Sequence, residues 1–144
     1  MSKKPKQAAH AARKTLKVLI ADDTAAIRES MSNLVSRLKD VEIVGVAQTG
    51  LEALDKIRSL KPDVATLDIR MPGLNGISVL EAVQQEKLPV AVIILTGLAE
   101  TEYRRKCLAL GAEHFFNKAT EFELVVEILR ERAARMNPPS QAPL

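Results

Sequence analysis

The sequence has few of the residues that support disulfide scaffolds, thiolate metal sites or aromatic cores. Its 144 residues include one cysteine, no tryptophan, one tyrosine and three phenylalanines. A single cysteine, Cys107, excludes an internal disulfide and a zinc site built from several cysteines. Because aromatic residues make up only 3% of the chain, a folded core must be built from aliphatic side chains.

The chain also lacks a long apolar run. No stretch approaches the roughly 20 uninterrupted apolar residues of a membrane-spanning helix, and the first residues lack the apolar core of a signal peptide. The composition, 47% hydrophobic and 27% charged, is typical of a globular protein. We therefore expect one soluble, cytoplasmic domain with no membrane contact.

Acidic residues are missing from the N-terminal segment. Residues 1–17 contain six Lys or Arg and no Asp or Glu, while the whole chain carries a net charge of +3, so the remainder carries −3. The basic character therefore belongs to a terminal arm, and no basic nucleic-acid-binding surface is predicted on the folded part. Without interleaved aromatic residues the arm is interpreted as a solvated extension, with contact to nucleic acid or anionic lipid as the alternative.

Five short apolar runs alternate along the chain with five segments of helical periodicity. The runs predict β-strands over 16–21, 41–47, 64–68, 90–96 and 114–117. The helical segments cover 27–38, 50–60, 76–86, 100–110 and 122–129, and capping boxes are predicted at Thr49–Glu52 and Thr120–Glu123.

This alternation predicts an α/β fold, a doubly wound parallel sheet in the order 2-1-3-4-5 with five helices on its two faces. The predicted domain spans residues 16–136. It follows a flexible basic arm, residues 1–15, and precedes a flexible tail, residues 137–144, that contains adjacent prolines and no charged side chain.

Polar side chains stand where the predicted strands end. The first strand leads into Asp22 and Asp23, the third into Asp68, the fourth into Thr96 and the fifth into Lys118. Because parallel strands end at one edge of a sheet, these five side chains are expected to converge there. Such convergence is hard to explain by structure alone, because three neighbouring carboxylates repel one another unless they are neutralised.

The predicted cluster suits the chemistry of phosphoryl transfer. Mg²⁺ prefers oxygen ligands and a site with few carboxylates, and a carboxylate such as Asp68 can attack phosphorus to give an acyl phosphate. The cation and Lys118 would neutralise charge on the transferring oxygens. Thr96 would then donate a hydrogen bond to the new phosphoryl group, whose added charge would draw the Thr96 loop inward.

At these spacings, the five residues closely resemble the receiver domain of two-component response regulators, which has a flavodoxin-like fold. The resemblance covers about residues 16–135, includes the loop from Ile69 to Gly76, and favours the stand-alone, single-domain type. It implies that Asp68 is the phosphoacceptor and that Asp23 and Asp68 bind Mg²⁺ through their side chains. Asp22 would assist through water.

The resemblance also assigns roles beyond the acids. The backbone carbonyl of Arg70 would be a further Mg²⁺ ligand, Thr96 the switch hydroxyl, Lys118 the partner of the phosphoryl group, and Phe115 the rotating aromatic of the switch. Arg70 and Leu98 stand at positions that tune the lifetime of the phosphoryl group. One departure is Ala119, where the family usually has proline after a cis peptide bond.

More ordinary interpretations exist for each residue. Asp22 and Asp23 would serve to cap the first helix, and Asp68 would serve to start the turn at Met71-Pro-Gly73. Thr96 and Lys118 are unremarkable singly. Phe115 on its own is typical of a core residue, and Cys107 of a small buried hydrophobe.

The functional hypothesis is a signalling protein rather than an enzyme. The chain would accept a phosphoryl group from a sensor histidine kinase or a histidine phosphotransfer protein, change shape, and signal by protein contact or phosphorelay, without binding DNA. A homodimer through the fourth helix, fifth strand and fifth helix is a further expectation of the resemblance.

Three alternatives belong to other classes. One is a receiver of a helix-turn-helix transcriptional regulator without its DNA-binding domain. A haloacid-dehalogenase-type phosphatase would need an acid where Arg70 stands. A flavin-binding flavodoxin-like protein would need a phosphate-binding loop where Asp22 and Asp23 stand.

Overall fold

In the computed structural model, the described residues, 13–98 and 100–139, form a parallel sheet between two layers of helices. The strands are β1 Leu16–Ala21, β2 Val41–Ala47, β3 Val64–Leu67, β4 Ala91–Thr96 and β5 His114–Asn117. The helices are α1 Ala25–Val35, α2 Gly50–Leu60, α3 Gly76–Glu86, α4 Thr101–Ala109 and α5 Phe122–Met136. The sheet order is β2-β1-β3-β4-β5 with every pairing parallel, which confirms the predicted fold.

The core is mostly aliphatic and lies in two layers, one on each face of the sheet. Alternate residues of β1 supply both layers, because successive strand side chains point to opposite faces. Leu19 packs in the layer under α2, α3 and α4, whereas Val18 and Ile20 pack in the layer under α1 and α5. Cys107 is fully buried in the first layer, as expected of a small hydrophobe.

The strand bounds agree with the predicted ones to within one residue, and the helix bounds to within three, except that α5 continues beyond the predicted residue 129 to Met136. The third strand ends at Leu67, so that Asp68 follows it directly. Helix α1 ends at Val35, and Leu38 packs against the core after the helix has ended. Thr49 accepts the backbone N–H of Glu52 at 3.1 Å, as the first capping box requires. The Glu52 carboxylate accepts from Gln48 rather than from the cap residue.

The second capping box is wrong. Helix α5 begins at Phe122 after Glu121, and neither Thr120 nor Glu121 makes a side-chain cap bond. The Glu121 carboxylate instead accepts the backbone N–H of Asn117 at 2.8 Å. The predicted cap bond is therefore absent among the described residues, although the helix begins at the predicted residue, Phe122.

The two ends of the described domain lie side by side. The side-chain amide of Asn137 accepts the N–H of Lys14 at 2.7 Å and donates to the Lys14 carbonyl at 2.7 Å. The Arg13 guanidinium pairs with the Asp40 carboxylate at 2.6 Å. The predicted arm and tail otherwise fall on residues 1–12 and 140–144, which lie outside the described residues.

The outer strand β2 carries a side-chain contact on its free side. The Ala47 carbonyl accepts the N–H of Asp22 at 3.0 Å and therefore faces β1. Carbonyls alternate along a strand, so that of Val46 faces away from β1. The Lys56 ammonium donates to it at 2.7 Å while also pairing with Glu52.

Within the described residues, no helix is long and apolar enough to cross a membrane.

Gly76, the first residue of α3, is needed for a close backbone approach. A Cβ at this position would overlap the carbonyl oxygen of Asp68, which is backbone and cannot rotate away. We expect Gly76→Ala to lower the free energy of unfolding by about 2 kcal/mol, measured by urea denaturation, although alanine ordinarily favours a helix.

A matched glycine serves as the control for this prediction. A Cβ at Gly97 would meet nothing within 4 Å, so Gly97→Ala is expected to change the free energy of unfolding by less than about 0.5 kcal/mol. An equal decrease in the free energy of unfolding for the two variants would contradict the prediction, because the overlap at Gly76 would then cost nothing.

Candidate functional site

Two neighbouring strands bring the acidic residues together at the carboxyl edge of the sheet. The sheet ladder continues through them, because the N–H of Asp22 donates to Ala47 at 3.0 Å and the N–H of Asp68 donates to Ala21 at 3.1 Å. One carboxylate oxygen from each of Asp22, Asp23 and Asp68 lies within 4.8 Å of the other two. Asp22 and Asp68 are buried, whereas Asp23 is exposed.

Lys118 reaches this acidic group from the end of β5. Its N–H donates to the carbonyl of Thr96 at 2.9 Å, which sets its backbone beside β4. Its ammonium lies 2.7 Å from Asp22 Oδ2 and 2.8 Å from Asp68 Oδ2, and its side chain is 18% exposed. Lys118 therefore bridges the two buried carboxylates.

The surroundings of Lys118 act on its pKa in opposite directions. Burial by itself lowers the pKa of this amine, but hydrogen bonds and charge from Asp22 and Asp68 outweigh burial, so the pKa is raised. A lysine whose pKa is higher in the folded chain stabilises the fold below its ordinary pKa of about 10.4. That contribution is lost as the pH rises through the raised value.

We therefore expect the free energy of unfolding in metal-free buffer to fall as the pH rises beyond about 10.4, with a shallower fall in Lys118→Met. Urea denaturation at a series of pH values measures the slopes. Lys17→Met removes an exposed lysine near the opposite edge of the sheet and should keep the slope of the native protein. Identical slopes in all three proteins would contradict the expectation.

Thr96 is buried at the end of β4. Its hydroxyl oxygen accepts the N–H of Leu98 at 3.1 Å, which leaves the hydroxyl hydrogen free to donate elsewhere. A cleft of about 410 Å³ opens here, and its lining residues are Asp23, Thr24, Asp68, Arg70, Thr96, Gly97, Leu98 and Lys118. The cleft gives a small anion access to Asp68.

The oxygen donors of this cleft fit a hard divalent cation. Three carboxylates and one ammonium together carry a net charge of about −2, which a divalent cation would balance. Asp22 already accepts from Thr24 N–H through Oδ1 and from Lys118 through Oδ2, so it suits a supporting role. Among residues 13–98 and 100–139, the exposed carboxylate of Asp23 accepts only a long contact, at 3.5 Å, from the hydroxyl of Thr24.

The structure contradicts the capping role of Asp22 and Asp23 but is compatible with a turn role for Asp68. Thr24, not Asp22 or Asp23, is the cap residue of α1, and it makes no side-chain cap bond. The capping interpretation is therefore wrong. Asp68 Oδ1 lies 3.4 Å from the N–H of Arg70, a long contact that a turn-initiating aspartate would also make. The position of the Arg70 carbonyl as a metal ligand stays a prediction.

Phe115 is buried in β5, and a residue that the sequence left unassigned covers it. The guanidinium carbon of Arg104, on α4, lies 4.9 Å from the centre of the Phe115 ring. Arg104 also approaches Glu121 at 3.9 Å. Arg104 is 11 residues from Phe115 in the sequence, and this spacing carries no periodic signal.

The loop after Lys118 departs from the resemblance in a second respect. The described residues contain no cis peptide bond, so the bond before Ala119 is trans. The N–H of Ala119 donates to Asn117 Oδ1 at 2.8 Å. Sequence analysis assigned no function to Asn117 or Glu121, because their contacts join residues across a loop whose shape the sequence did not predict.

Known proteins resemble this chain in sequence and in fold. Residues 18–130 match the family model of the response regulator receiver domain. The chain is 42% identical over 115 residues to a protein-glutamate methylesterase/protein-glutamine glutaminase of Methanospirillum hungatei, covering 78% of this chain and 34% of that protein. A protein of the same name in Myxococcus xanthus is 36% identical over 140 residues, covering 89% and 40%. The chain thus spans between a third and two fifths of these relatives.

Solved structures share the fold of this chain. The signal receiver domain of the putative response regulator NarL from Mycobacterium tuberculosis has a TM-score of 0.77 at 32% identity, covering 83% of this chain and 97% of that one. The response regulator domain of Thermotoga maritima CheB has a TM-score of 0.74 at 35% identity, covering 88% and 100%. This chain belongs to the response regulator receiver domain family of two-component systems.

Proposed function

We propose that this chain receives a phosphoryl group on Asp68, in a Mg²⁺-dependent reaction, from a histidine kinase or a histidine phosphotransfer protein. Phosphorylation of an aspartate and Mg²⁺ binding are general features of the family. The observation that supports the assignment here is the Lys118 ammonium, held within 2.8 Å of both Asp22 and Asp68 beside the exposed carboxylate of Asp23.

In the proposed reaction an oxygen of the Asp68 carboxylate attacks phosphorus, and the bond from phosphorus to the donor histidine nitrogen breaks. That nitrogen keeps the bonding electrons and takes up a proton, and the product is an acyl phosphate. Lys118 neutralises charge on the phosphoryl oxygens, and the hydroxyl of Thr96 donates a hydrogen bond to one of them. A bound Mg²⁺, held by Asp23 and Asp68 with support from Asp22, would supply further charge neutralisation.

The test uses a small donor, so that no partner needs to be known. Incubation with acetyl phosphate and Mg²⁺, followed by intact-mass analysis, is expected to show one added phosphoryl group, and EDTA is expected to prevent it. Peptide mapping should place the group on Asp68. Failure of the native protein to take up the group under these conditions would refute the proposal.

The output of the switch is proposed to be protein contact or phosphorelay, in the cytoplasm, by the receiver acting alone and without enzymatic activity on a separate substrate. A homodimer through α4, β5 and α5 would draw on the exposed apolar side chains of the two helices, namely Tyr103 and Leu108 on α4 and Leu124 on α5. Sedimentation with and without phosphorylation tests this, and a monomer under both conditions would contradict it.

A second candidate is the receiver part of a larger regulator. A DNA-binding response regulator of the LuxR family from Staphylococcus aureus matches with a TM-score of 0.76 at 30% identity, which favours the transcriptional alternative. The curated relatives are named methylesterases and glutaminases instead. The intact mass of the protein immunoprecipitated from its native cells distinguishes a stand-alone receiver from either longer protein.

The lifetime of the phosphoryl group is expected to depend on Arg70 and Leu98. Both line the cleft beside Asp68, and their long side chains would hinder the approach of water. We expect dephosphorylation of the Arg70→Ala, Leu98→Ala double variant to be several-fold faster than that of the native protein. An unchanged half-life would remove the hypothesis.

A further inference from the structure

The position of Lys118 depends on a loop that little packing supports. The two residues that follow Lys118, Ala119 and Thr120, are both exposed to solvent. The lysine must nevertheless place its ammonium within 2.8 Å of two carboxylates on other strands. Hydrogen bonds must therefore fix the backbone from which this flexible side chain extends.

Asn117 supplies the first of these bonds. Its side-chain oxygen accepts the N–H of Ala119 at 2.8 Å and that of Thr120 at 3.3 Å. The bond to residue 119 exists only because that residue is not proline, since proline has no N–H to donate. One side chain thus holds the two residues that follow Lys118.

Glu121 closes the loop from the other side. Its carboxylate accepts the N–H of Asn117 at 2.8 Å, and its own N–H donates to the Asn117 carbonyl at 2.8 Å. Residues 117 and 121 are therefore joined by a reciprocal pair of bonds. Lys118 leaves the backbone inside this closed loop.

We infer that Asn117 and Glu121 are positioning residues for Lys118, and hence for phosphoryl transfer, an inference that rests on the proposed function. Neither residue lines the cleft around Asp68, so both act through the lysine. A displacement of about 1 Å at a reacting centre can cost about 100-fold in rate, so a loosened loop should slow phosphorylation markedly.

A merely structural role would be to stabilise the start of α5. In that case Asn117→Ala would lower the free energy of unfolding but would not interact specifically with Lys118. If Asn117 acts through the lysine, its removal has no further effect once the lysine is absent. The two explanations therefore predict different double-mutant cycles.

The experiment measures the phosphorylation rate with acetyl phosphate and Mg²⁺ by intact mass. Asn117→Ala is expected to slow the reaction about tenfold. Asn117→Asp keeps a side-chain oxygen acceptor and should remain within about twofold of the native rate. The same comparison applies to Glu121→Ala and Glu121→Gln, since glutamine also keeps the acceptor.

Two further measurements complete the test. In the Lys118→Met background, Asn117→Ala should change the remaining rate by less than about twofold. Asn137→Ala removes an asparagine that holds Lys14 at the opposite edge of the sheet and should keep the native rate. Urea denaturation of each variant verifies that it is folded under the assay conditions.

Each result has one meaning. A native protein that takes up no phosphoryl group would refute the proposed function, and this inference with it. A native protein that is phosphorylated at the same rate as folded Asn117→Ala would overturn the inference alone. A tenfold loss that persists in the Lys118→Met background would also overturn it, because Asn117 would then act independently of the lysine.

Discussion

Replacing Asp68 with asparagine is expected to abolish phosphorylation by acetyl phosphate. The amide has nearly the same shape as the carboxylate but has no anionic oxygen to attack phosphorus. Asp68 is buried and follows β3 directly, so no neighbouring acid on that strand can take its place. Intact mass should show no added group on Asp68→Asn under conditions in which the native protein is converted.

The substitution is expected to leave the fold intact. Asp68 is one of three clustered carboxylates, and a neutral amide reduces their mutual repulsion while its oxygen still accepts from Lys118. Asp55→Asn, on the exposed surface of α2, is the matched control and should be phosphorylated at the native rate. Uptake of a phosphoryl group by folded Asp68→Asn would place the acceptor on another residue.

The second large effect is expected at Lys118. Lys118→Met keeps most of the apolar stem but removes the charge that lies 2.8 Å from Asp68. Removing one preorganised group that stabilises charge in a transition state typically costs about 10²- to 10³-fold in rate. We expect a loss of that size in the rate of phosphorylation by acetyl phosphate.

The response of stability to Mg²⁺ distinguishes loss of the Lys118 charge from loss of the whole acidic site. Removal of the ammonium leaves Asp22 and Asp68 without their shared cation, so Lys118→Met should be less stable in metal-free buffer. Added Mg²⁺ should restore part of that stability. Lys17→Met, which removes an exposed lysine far from the cleft, is the control and should keep the native rate. A phosphorylation rate within about threefold of the native protein would show that Lys118 contributes little charge stabilisation.

The sequence predicted the acidic edge because its signals are local. Strands with apolar runs end at polar residues, and parallel pairing then brings those ends together without further information. Asp22 and Asp68 are therefore found beside Lys118, although 50 positions separate Asp68 from the lysine.

The loop after β5 could not be predicted in the same way. Thr120 and Glu123 have the spacing of a capping box, but Glu121 is the cap residue of α5 and its carboxylate bonds to Asn117. The contact of Arg104 with Phe115 likewise depends on how α4 packs beside β5. Such contacts follow from tertiary structure, which a spacing rule does not contain.

The lysine at the free side of β2 has a consequence for how this protein meets other chains. An exposed strand edge is a template on which a foreign strand can be added. Lys56 occupies the outward carbonyl of Val46, and an incoming strand would have to displace this charged group and break its pairing with Glu52. Addition of a partner's strand to this edge is therefore disfavoured, and so is aggregation through edge-to-edge pairing of sheets.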